Sequence, residues 1–178
     1  MWHVLADTER AQWEYRPSVA VGPLRFGMSP DEVTAALPGL QGAIEVANRG
    51  YHDTRKIELR TPGPHQFRAT LTAYFTGADG LFTVVPDAQF GPQVTLDGIR
   101  LVARVPSALQ TELLDHAKER GIIARLAPEG DIELADLGIT MRVQRAGDVV
   151  LSRPVLAVVR SDAYTLWDGM PTDELQVH

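Results

Sequence analysis

The clearest pattern along the chain is an alternation of apolar and polar residues between positions 67 and 75. Apolar residues fill every second position there, with arginine, threonine and tyrosine between them; the apolar set is Phe67, Ala69, Leu71, Ala73 and Phe75. This period of two predicts a β-strand that buries one face. The turn residues 77–80 separate it from a second apolar run at 81–85, and the pair predicts an antiparallel hairpin.

A helix is predicted over residues 29–37, because its first turn carries a complete set of capping signals. The Ser29 hydroxyl can cap the helix, and Glu32 can bond back to the Ser29 N–H, which is the reciprocal arrangement of a capping box. Pro30 stands at the first helical position, where its missing N–H has no partner to lose. A Pro-Gly pair then ends the helix.

A second helix is predicted over residues 107–120. Its apolar stripe recurs at helical spacing and consists of Leu109, Leu113, Leu114 and Ala117. Ser107 and Gln110 stand three positions apart and predict a second capping box. The glycine that follows is typical of a helix end. Glu112 and His116 lie beside the stripe, and we expect them on a solvated face rather than at a metal.

Shorter apolar or alternating stretches predict the remaining strands, at 43–47, 56–60, 132–134, 138–144, 149–151 and 155–159. Residues 1–20 predict a turn or short helix and then an extended arm that lies on the body of the protein. The alternation favours antiparallel strands, since parallel strands buried on both faces are continuously apolar. We therefore expect an α+β fold in which antiparallel sheets pack with two main helices.

The two halves of the chain follow a similar order, which suggests an internal repeat. Gly22-Pro-Leu-Arg-Phe precedes the first helix, and Gly98-Ile-Arg-Leu-Val precedes the second. One interpretation is a degenerate tandem repeat of residues 20–95 and 96–160, each copy a helix against antiparallel strands. The other is one α+β domain whose elements happen to alternate. Both describe a single globular domain over residues 1–178.

Negative charge is concentrated in the last part of the chain. The net charge is −6, and the acidic tail at 161–178 has no lysine or arginine but contains Asp162, Asp168, Asp173 and Glu174. The rest of the chain has no basic stripe, so nucleic-acid binding, which requires concentrated positive charge, is disfavoured. Arginine far outnumbers lysine, and with many alanines, glycines and prolines this composition suggests a bacterial genome rich in G and C.

Cysteine is absent from the chain, which excludes disulfides, thiolate nucleophiles and cysteine-bound zinc. The segment Met1–Asp7 lacks the positive charge of a secretion signal. No apolar run approaches the ~20 residues of a membrane span. We therefore expect a cytoplasmic protein without a membrane partner.

Sequence motifs for a cofactor or a catalytic centre are incomplete. Gly22–Ser29 has the spacing of a phosphate-binding P-loop, but Met28 replaces the lysine that would contact the phosphates. Met28 is better interpreted as a hydrophobic staple that packs on Val33. No histidine lies in an H-E-x-x-H motif, and no serine lies in G-x-S-x-G. We therefore expect no cofactor and no metal.

A site assembled from scattered polar residues would form most readily beside the clearest strand. Four residues near it carry suitable side chains: His52, Asp53, His65 and Arg68. Histidine titrates near neutral pH, so the adjacent His52 and Asp53 are one candidate acid–base pair. The other interpretation, which we favour, is that these are exposed loop residues.

Aromatic residues gather at the two ends of the chain. The set is Trp2, Trp13, Tyr15, Tyr164 and Trp167. Aromatic side chains are enriched at interaction hot spots, which makes this set a candidate protein interface. They equally suit a terminal arm pinned onto a core, and this pinning role is the interpretation we favour.

The stretch Gly22–Leu37 resembles the helix entrance of small bacterial domains made of helices and a sheet. Its pattern is Gly-x-Leu-x-Phe-Gly-Met-Ser-x-x-Glu-Val-x-x-x-Leu. Similar stretches occur in the outer-membrane assembly lipoprotein family (SmpA/BamE-like) and in the β-lactamase inhibitor protein family, which carries the unit twice. They also occur in uncharacterised actinobacterial proteins, some of which look like immunity proteins. The resemblance implies a module that meets another protein through a sheet face or loops, with no catalytic residue to carry over.

The hypothesis that these features favour is a non-catalytic protein-binding module of the immunity or inhibitor kind, with an unidentified protein partner. The alternative is a small enzyme or small-ligand-binding domain that uses the scattered polar residues. A concave pocket lined by at least three of those four residues would favour the alternative.

Overall fold

The computed structural model describes residues 3–47, 53–63, 69–127 and 130–176. Over these residues the chain forms two α-helices and two sheets rich in antiparallel strands, which confirms the predicted α+β class. The helices are α1 (Pro30–Ala36) and α2 (Pro106–Glu119). The strands are β1 (Gln12–Arg16), β2 (Ala20–Val21), β3 (Leu24–Arg25), β4 (Ile44–Val46), β5 (Arg55–Leu59), β6 (Leu71–Thr76), β7 (Gly80–Pro86), β8 (Gln93–Leu96), β9 (Ile99–Arg100), β10 (Arg125–Leu126), β11 (Ile132–Leu134), β12 (Ile139–Ala146) and β13 (Val149–Ala157).

Eight strands form the larger sheet, in the order β10-β11-β12-β13-β7-β6-β5-β4, and neighbouring strands are antiparallel throughout. Strands β4–β7 form one meander and β10–β13 form another. The meanders join at the centre of the sheet, where Leu156 of β13 pairs with Val84 of β7. The sheet is therefore continuous across both halves of the chain.

The order of elements is the same in the two halves. A short hairpin, β2–β3 or β8–β9, precedes a helix, and the helix precedes a meander of four strands. The second hairpin begins at Gln93, ahead of the boundary in the predicted division into residues 20–95 and 96–160, and that division stays a prediction. Descent of the two halves from a duplicated unit stays a prediction.

In the smaller sheet, the first strand of the chain, β1, pairs with β8 from the middle of the chain. Its order is β3-β2-β1-β8-β9, and β1 runs parallel to β8, with Gln12 opposite Gln93. Tyr15 on β1 is buried, and its hydroxyl donates a hydrogen bond of 2.6 Å to the carbonyl of Leu137. This bond ties the smaller sheet to the connection between β11 and β12.

The main core combines apolar residues from both sheets and both helices, among them Leu24, Val33, Leu71, Leu113 and Leu156. Met28 is partly buried against this core, near the start of α1. A second, smaller cluster lies on the other face of the larger sheet. It contains Tyr74, Phe82, Val85, Val155 and Met170, with Trp167 and Leu175 packed against it.

The two predicted capping boxes have different outcomes. At α1 the box is confirmed, because the Glu32 N–H donates to Ser29 Oγ at 3.3 Å and the Ser29 N–H donates to Glu32 Oε2 at 2.8 Å. At α2 the predicted box is wrong. That helix begins at Pro106 after Val105, which has no side-chain acceptor, so Ser107 lies inside the first turn rather than at the cap.

The predicted faces of α2 also require a correction. Leu114 is exposed, whereas His116 is buried beside Leu109, Leu113 and Ala117. Residues three, four, seven and eight positions apart share a helix face. Position 116 therefore lies on the same buried face as positions 109 and 113, whereas position 114 lies outside that face. Among the described residues, neither helix combines the length and apolar character needed to cross a bilayer.

One strand is longer than the sequence suggests. The stretches predicted at 149–151 and 155–159 form the single strand β13, which continues through Pro154. Strand β7 pairs with β13 only at Leu156 and Ala157. In the part of the chain that the structure describes, no strand therefore pairs with this edge of β13 at Pro154, and a residue without an N–H is tolerated there.

The alternating strand is buried on both faces rather than on one. Leu71, Ala73 and Phe75 face the main core, but Thr72 and Tyr74 on the opposite face are also buried. The cause is the segment after β13, whose apolar residues pack over Tyr74. The strand begins at Leu71, and positions 67 and 68 of the predicted range lie outside the described residues.

Candidate functional site

The face of the larger sheet that points away from the main core carries mostly polar side chains. Strand register places them together, since Lys56 is opposite Tyr74, Glu58 is opposite Thr72, and Arg142 is opposite Arg153. Alternate residues of a strand share a face, so these pairs and their neighbours form one surface. We call it the polar face; it consists of Lys56, Glu58, Thr72, Tyr74, Arg142, Gln144 and Arg153.

The centre of the polar face is a buried ion pair between Arg153 and Glu174. The exposed fractions are 7% for Arg153 and 1% for Glu174. Both terminal nitrogens of Arg153 donate to the Glu174 carboxylate, and the Tyr74 hydroxyl donates to Glu174 Oε1 at 2.5 Å. One carboxylate from the end of the chain is therefore held by side chains from β6 and β13.

The pKa shifts at this pair follow from burial and from the Glu174 charge. Burial raises the pKa of Tyr74 far above its usual range, and the neighbouring carboxylate raises it further. Burial alone would lower the pKa of Arg153, but the charge and hydrogen bonds of Glu174 outweigh burial and raise it. Tyr74 therefore stays protonated as a donor, and Arg153 stays charged.

A second ion-pair group lies beside the first. Lys56 Nζ is 3.0 Å from Glu58 Oε1 and 2.9 Å from Asp173 Oδ2, and Arg60 Nη2 is 2.6 Å from Glu58 Oε2. Burial opposes charge at both Lys56 and Glu58, but the ion pairs outweigh it. They raise the pKa of Lys56 and lower the pKa of Glu58. Both groups are therefore charged at neutral pH.

At the other end of the polar face, Arg142 contacts the backbone of the segment that carries Asp173 and Glu174. Arg142 pairs with Asp131, and its Nη2 donates to the Leu175 carbonyl at 3.0 Å. Gln144 connects the sheet to the loop after β7, because its Nε2 donates to Asp87 Oδ2 at 2.7 Å. The loop and the terminal segment thus border the polar face on two sides.

Between these borders lies an open pocket of about 490 Å³. Its walls include Lys56, Tyr74, Asp87, Arg145 and Arg153. Arg145 is exposed at the rim, whereas the other basic groups lie deeper. Both cations and carboxylates line this pocket, so it can bind charged groups and hydrogen-bonding groups of a partner or ligand.

The scattered candidate site lies mostly outside the described residues. His52, His65 and Arg68 fall in the ranges that the structure does not describe. The side chain of Asp53 is 75% exposed, and its Oδ1 is 3.8 Å from Arg55 Nε. Asp53 borders a pocket of about 320 Å³ near Asp79 and Arg160. Whether the four residues meet stays a prediction.

The aromatic candidates are placed in different surroundings. Trp2 lies outside the described residues. Trp13 and Tyr15 belong to the main-core side, and burial raises the pKa of Tyr15. Trp167 packs against the second cluster, on the other face of the larger sheet, and Tyr164 is 97% exposed. The described members therefore do not share one environment, and Tyr15 has the geometry of a pinning residue.

Sequence reasoning missed the residues that form the polar face. Tyr74 stands among the polar positions of the alternating strand, and Arg153 stands between two apolar stretches. The signal that could have found them is the tail itself. Asp173 and Glu174 sit in a segment without basic residues, so their partners have to come from elsewhere in the chain.

Within the described ranges, no group of three or more histidine, aspartate or glutamate side chains could hold a metal ion, on the polar face or elsewhere.

No family model, curated protein or solved structure matches the chain.

Proposed function

We propose that this protein is a non-catalytic, cytoplasmic protein-binding module, of the immunity or inhibitor kind, and that it binds its partner through the polar face. The observation that carries the proposal is the open pocket of about 490 Å³ between paired charges of the larger sheet. The lack of cysteine supports a reducing compartment.

The chemistry of the polar face suits recognition of a protein surface. Arginine and tyrosine are enriched at the centres of interfaces, where they supply both contact area and hydrogen bonds. Fixed charges of both signs favour a partner with the complementary arrangement and exclude others. Strand pairing and hydrogen bonds to Glu174 hold Tyr74 and Arg153 in place, so little side-chain conformational freedom is lost on binding.

The test is a comparison of two charge reversals at exposed arginines. Arg145→Glu changes the rim of the pocket, and Arg16→Glu makes the same chemical change on β1 of the smaller sheet. Each protein is immobilised and used to capture binders from a lysate of the source cell. We expect a stoichiometric protein partner that wild type and Arg16→Glu retain and that Arg145→Glu loses.

Two results would contradict the proposal. One is the lack of any stoichiometric protein partner. The other is a partner that both variants bind as tightly as wild type, because such a partner would use a different surface. Thermal melts of both variants ensure that a loss of binding is not a loss of fold.

A second candidate is a domain that binds a small polar ligand in the same pocket. Its volume of about 490 Å³ lies within the usual range of ligand sites, roughly 300–1,000 Å³. Native mass spectrometry of protein purified from the source cell separates the candidates. A bound small molecule in place of a protein partner would favour the ligand-binding function.

A further inference from the structure

The terminal segment lies on the polar face as a ligand would. We define the C-terminal segment as residues 161–176, the described residues of the acidic tail. It adds no strand to either sheet and contains one short 3₁₀ turn, Thr172–Leu175. Side chains and single carbonyls, rather than a strand ladder, therefore make its contacts with the sheet.

Every charged group of that turn has a basic partner on the sheet. Glu174 is bound by Arg153 and by the Tyr74 hydroxyl, and Asp173 is bound by Lys56. Arg142 binds the backbone of the segment, because its guanidinium donates a hydrogen bond to the Leu175 carbonyl. The polar face thus recognises two adjacent carboxylates and the peptide group that follows.

An apolar residue completes the recognised pattern. Leu175 packs against the second cluster, which also contains Tyr74 and Met170. No residue of the C-terminal segment belongs to the main core. The segment can therefore leave the polar face without exposing the residues that hold both sheets and both helices together.

Departure of the segment would leave Arg153 with a charge that the site has to neutralise. A buried ion pair adds little to stability when both partners are present, but a single buried charge is strongly unfavourable. The polar face therefore favours a new occupant that also brings a carboxylate. The open pocket beside Glu174 gives such an occupant a route to Arg145 and Lys56.

From these contacts we infer that the polar face is a binding site for acidic peptide segments of the type Asp-Glu-apolar, and that the C-terminal segment occupies it in cis. A partner that presents this chemistry competes with the segment for Arg153, Tyr74 and Lys56. The inference rests on the proposed function only in making the partner a protein. Binding of a peptide can be measured on the purified chain alone, without that partner.

The experiment measures binding of a fluorescent peptide with the sequence of residues 171–176, Pro-Thr-Asp-Glu-Leu-Gln, to the full-length chain. In wild type the tethered segment competes at a high effective concentration, so the free peptide binds weakly. Glu174→Gln removes the charge of the cis occupant while the basic partners remain. We expect this variant to bind the peptide about tenfold more tightly than wild type.

Two controls isolate the carboxylate. Glu112→Gln removes an exposed carboxylate on α2 that pairs with Arg104, and it is expected to bind the peptide as wild type does. A peptide with glutamine in place of its glutamate is expected to bind Glu174→Gln about tenfold more weakly than the acidic peptide. Equal affinity for both peptides would overturn the inference.

A second variant decides the matter if Glu174→Gln does not fold. Asp173→Asn removes one of the two carboxylates that pair with Lys56 and leaves the buried Arg153–Glu174 pair intact. We expect it to bind the peptide about threefold more tightly than wild type. A folded variant that gains no affinity overturns the inference, whether or not Arg145→Glu affects capture of a protein partner. Tighter peptide binding by the variant, together with the lack of any stoichiometric protein partner captured by wild type, would instead contradict the proposed function alone.

Discussion

At the scale of single residues, Gly138 shows how closely the two sheets approach each other. It has φ +66°, and an added Cβ would overlap the carbonyl oxygen of Ala157 and lie 2.7 Å from the Tyr15 hydroxyl oxygen. The same hydroxyl donates to the neighbouring Leu137 carbonyl. No side chain fits between β1 and β13 at this point.

This geometry predicts that Gly138→Ala strongly destabilises the protein. Gly121 is the matched control, since it has φ +67° but open space where a Cβ would stand. Gly121→Ala is expected to lower the free energy of unfolding by about 1 kcal/mol through backbone strain alone. Gly138→Ala adds steric overlap and is expected to lower it by about 3 kcal/mol or more. Urea melts measure both, and equal losses would contradict the close approach.

The carboxyl of Glu58 predicts a pH-dependent contribution to stability. Burial would raise its pKa, but Lys56 and Arg60 lower it below the ordinary value of 4.5. A carboxyl with a lowered folded pKa stabilises the protein above its unfolded pKa, and this stabilisation is lost as the pH falls through the folded pKa. The contribution of Glu58 is therefore complete at pH 7 and declines below about pH 4.5.

The measurement is a set of urea melts of wild type and Glu58→Gln at pH 7 and at about pH 3.5. We expect wild type to exceed the variant in free energy of unfolding at pH 7, and the difference to shrink at the lower pH. Glu119→Gln, which removes an exposed carboxylate on α2, controls for general effects of charge. A Glu58→Gln difference that is the same at both pH values would contradict the ion-pair geometry.

At the scale of elements, the sequence predicted those helix and strand boundaries that interactions between neighbouring residues determine. The start of α1 was predictable because Ser29 and Glu32 lie within one turn and satisfy each other's backbone groups. The start of α2 was not, because Pro106 fixes the first turn and the serine after it gives a misleading signal. The continuity of β13 through Pro154 depends on which strand lies beside it, and the chain itself carries no sign of that neighbour.

The polar face could not be predicted from the sequence for a related reason. Tyr74, Arg153 and Glu174 come from three separate elements that are distant in sequence, and they meet only in the folded structure. Alternation placed Tyr74 on the face opposite the core, but it did not show what would cover that face. The candidates chosen near the alternating strand relied on nearness in sequence, which says little about nearness in space.

At the scale of the whole molecule, one continuous sheet has two different faces. One face joins the smaller sheet and the helices in the main core. The other carries the polar face and the second cluster, and the C-terminal segment covers part of it. The central claim of this account is that the segment is a separable occupant of the polar face rather than a part of the fold.

Hydrogen exchange, measured by mass spectrometry on full-length wild type and Glu174→Gln under identical conditions, tests this claim most directly. Local opening leaves the exchange of the remaining structure unchanged, whereas global destabilisation accelerates exchange everywhere. The account predicts faster exchange over residues 161–176 in the variant, with exchange in β6, β7, β12 and β13 unchanged. Acceleration throughout the sheet, or no acceleration in the segment, would contradict it.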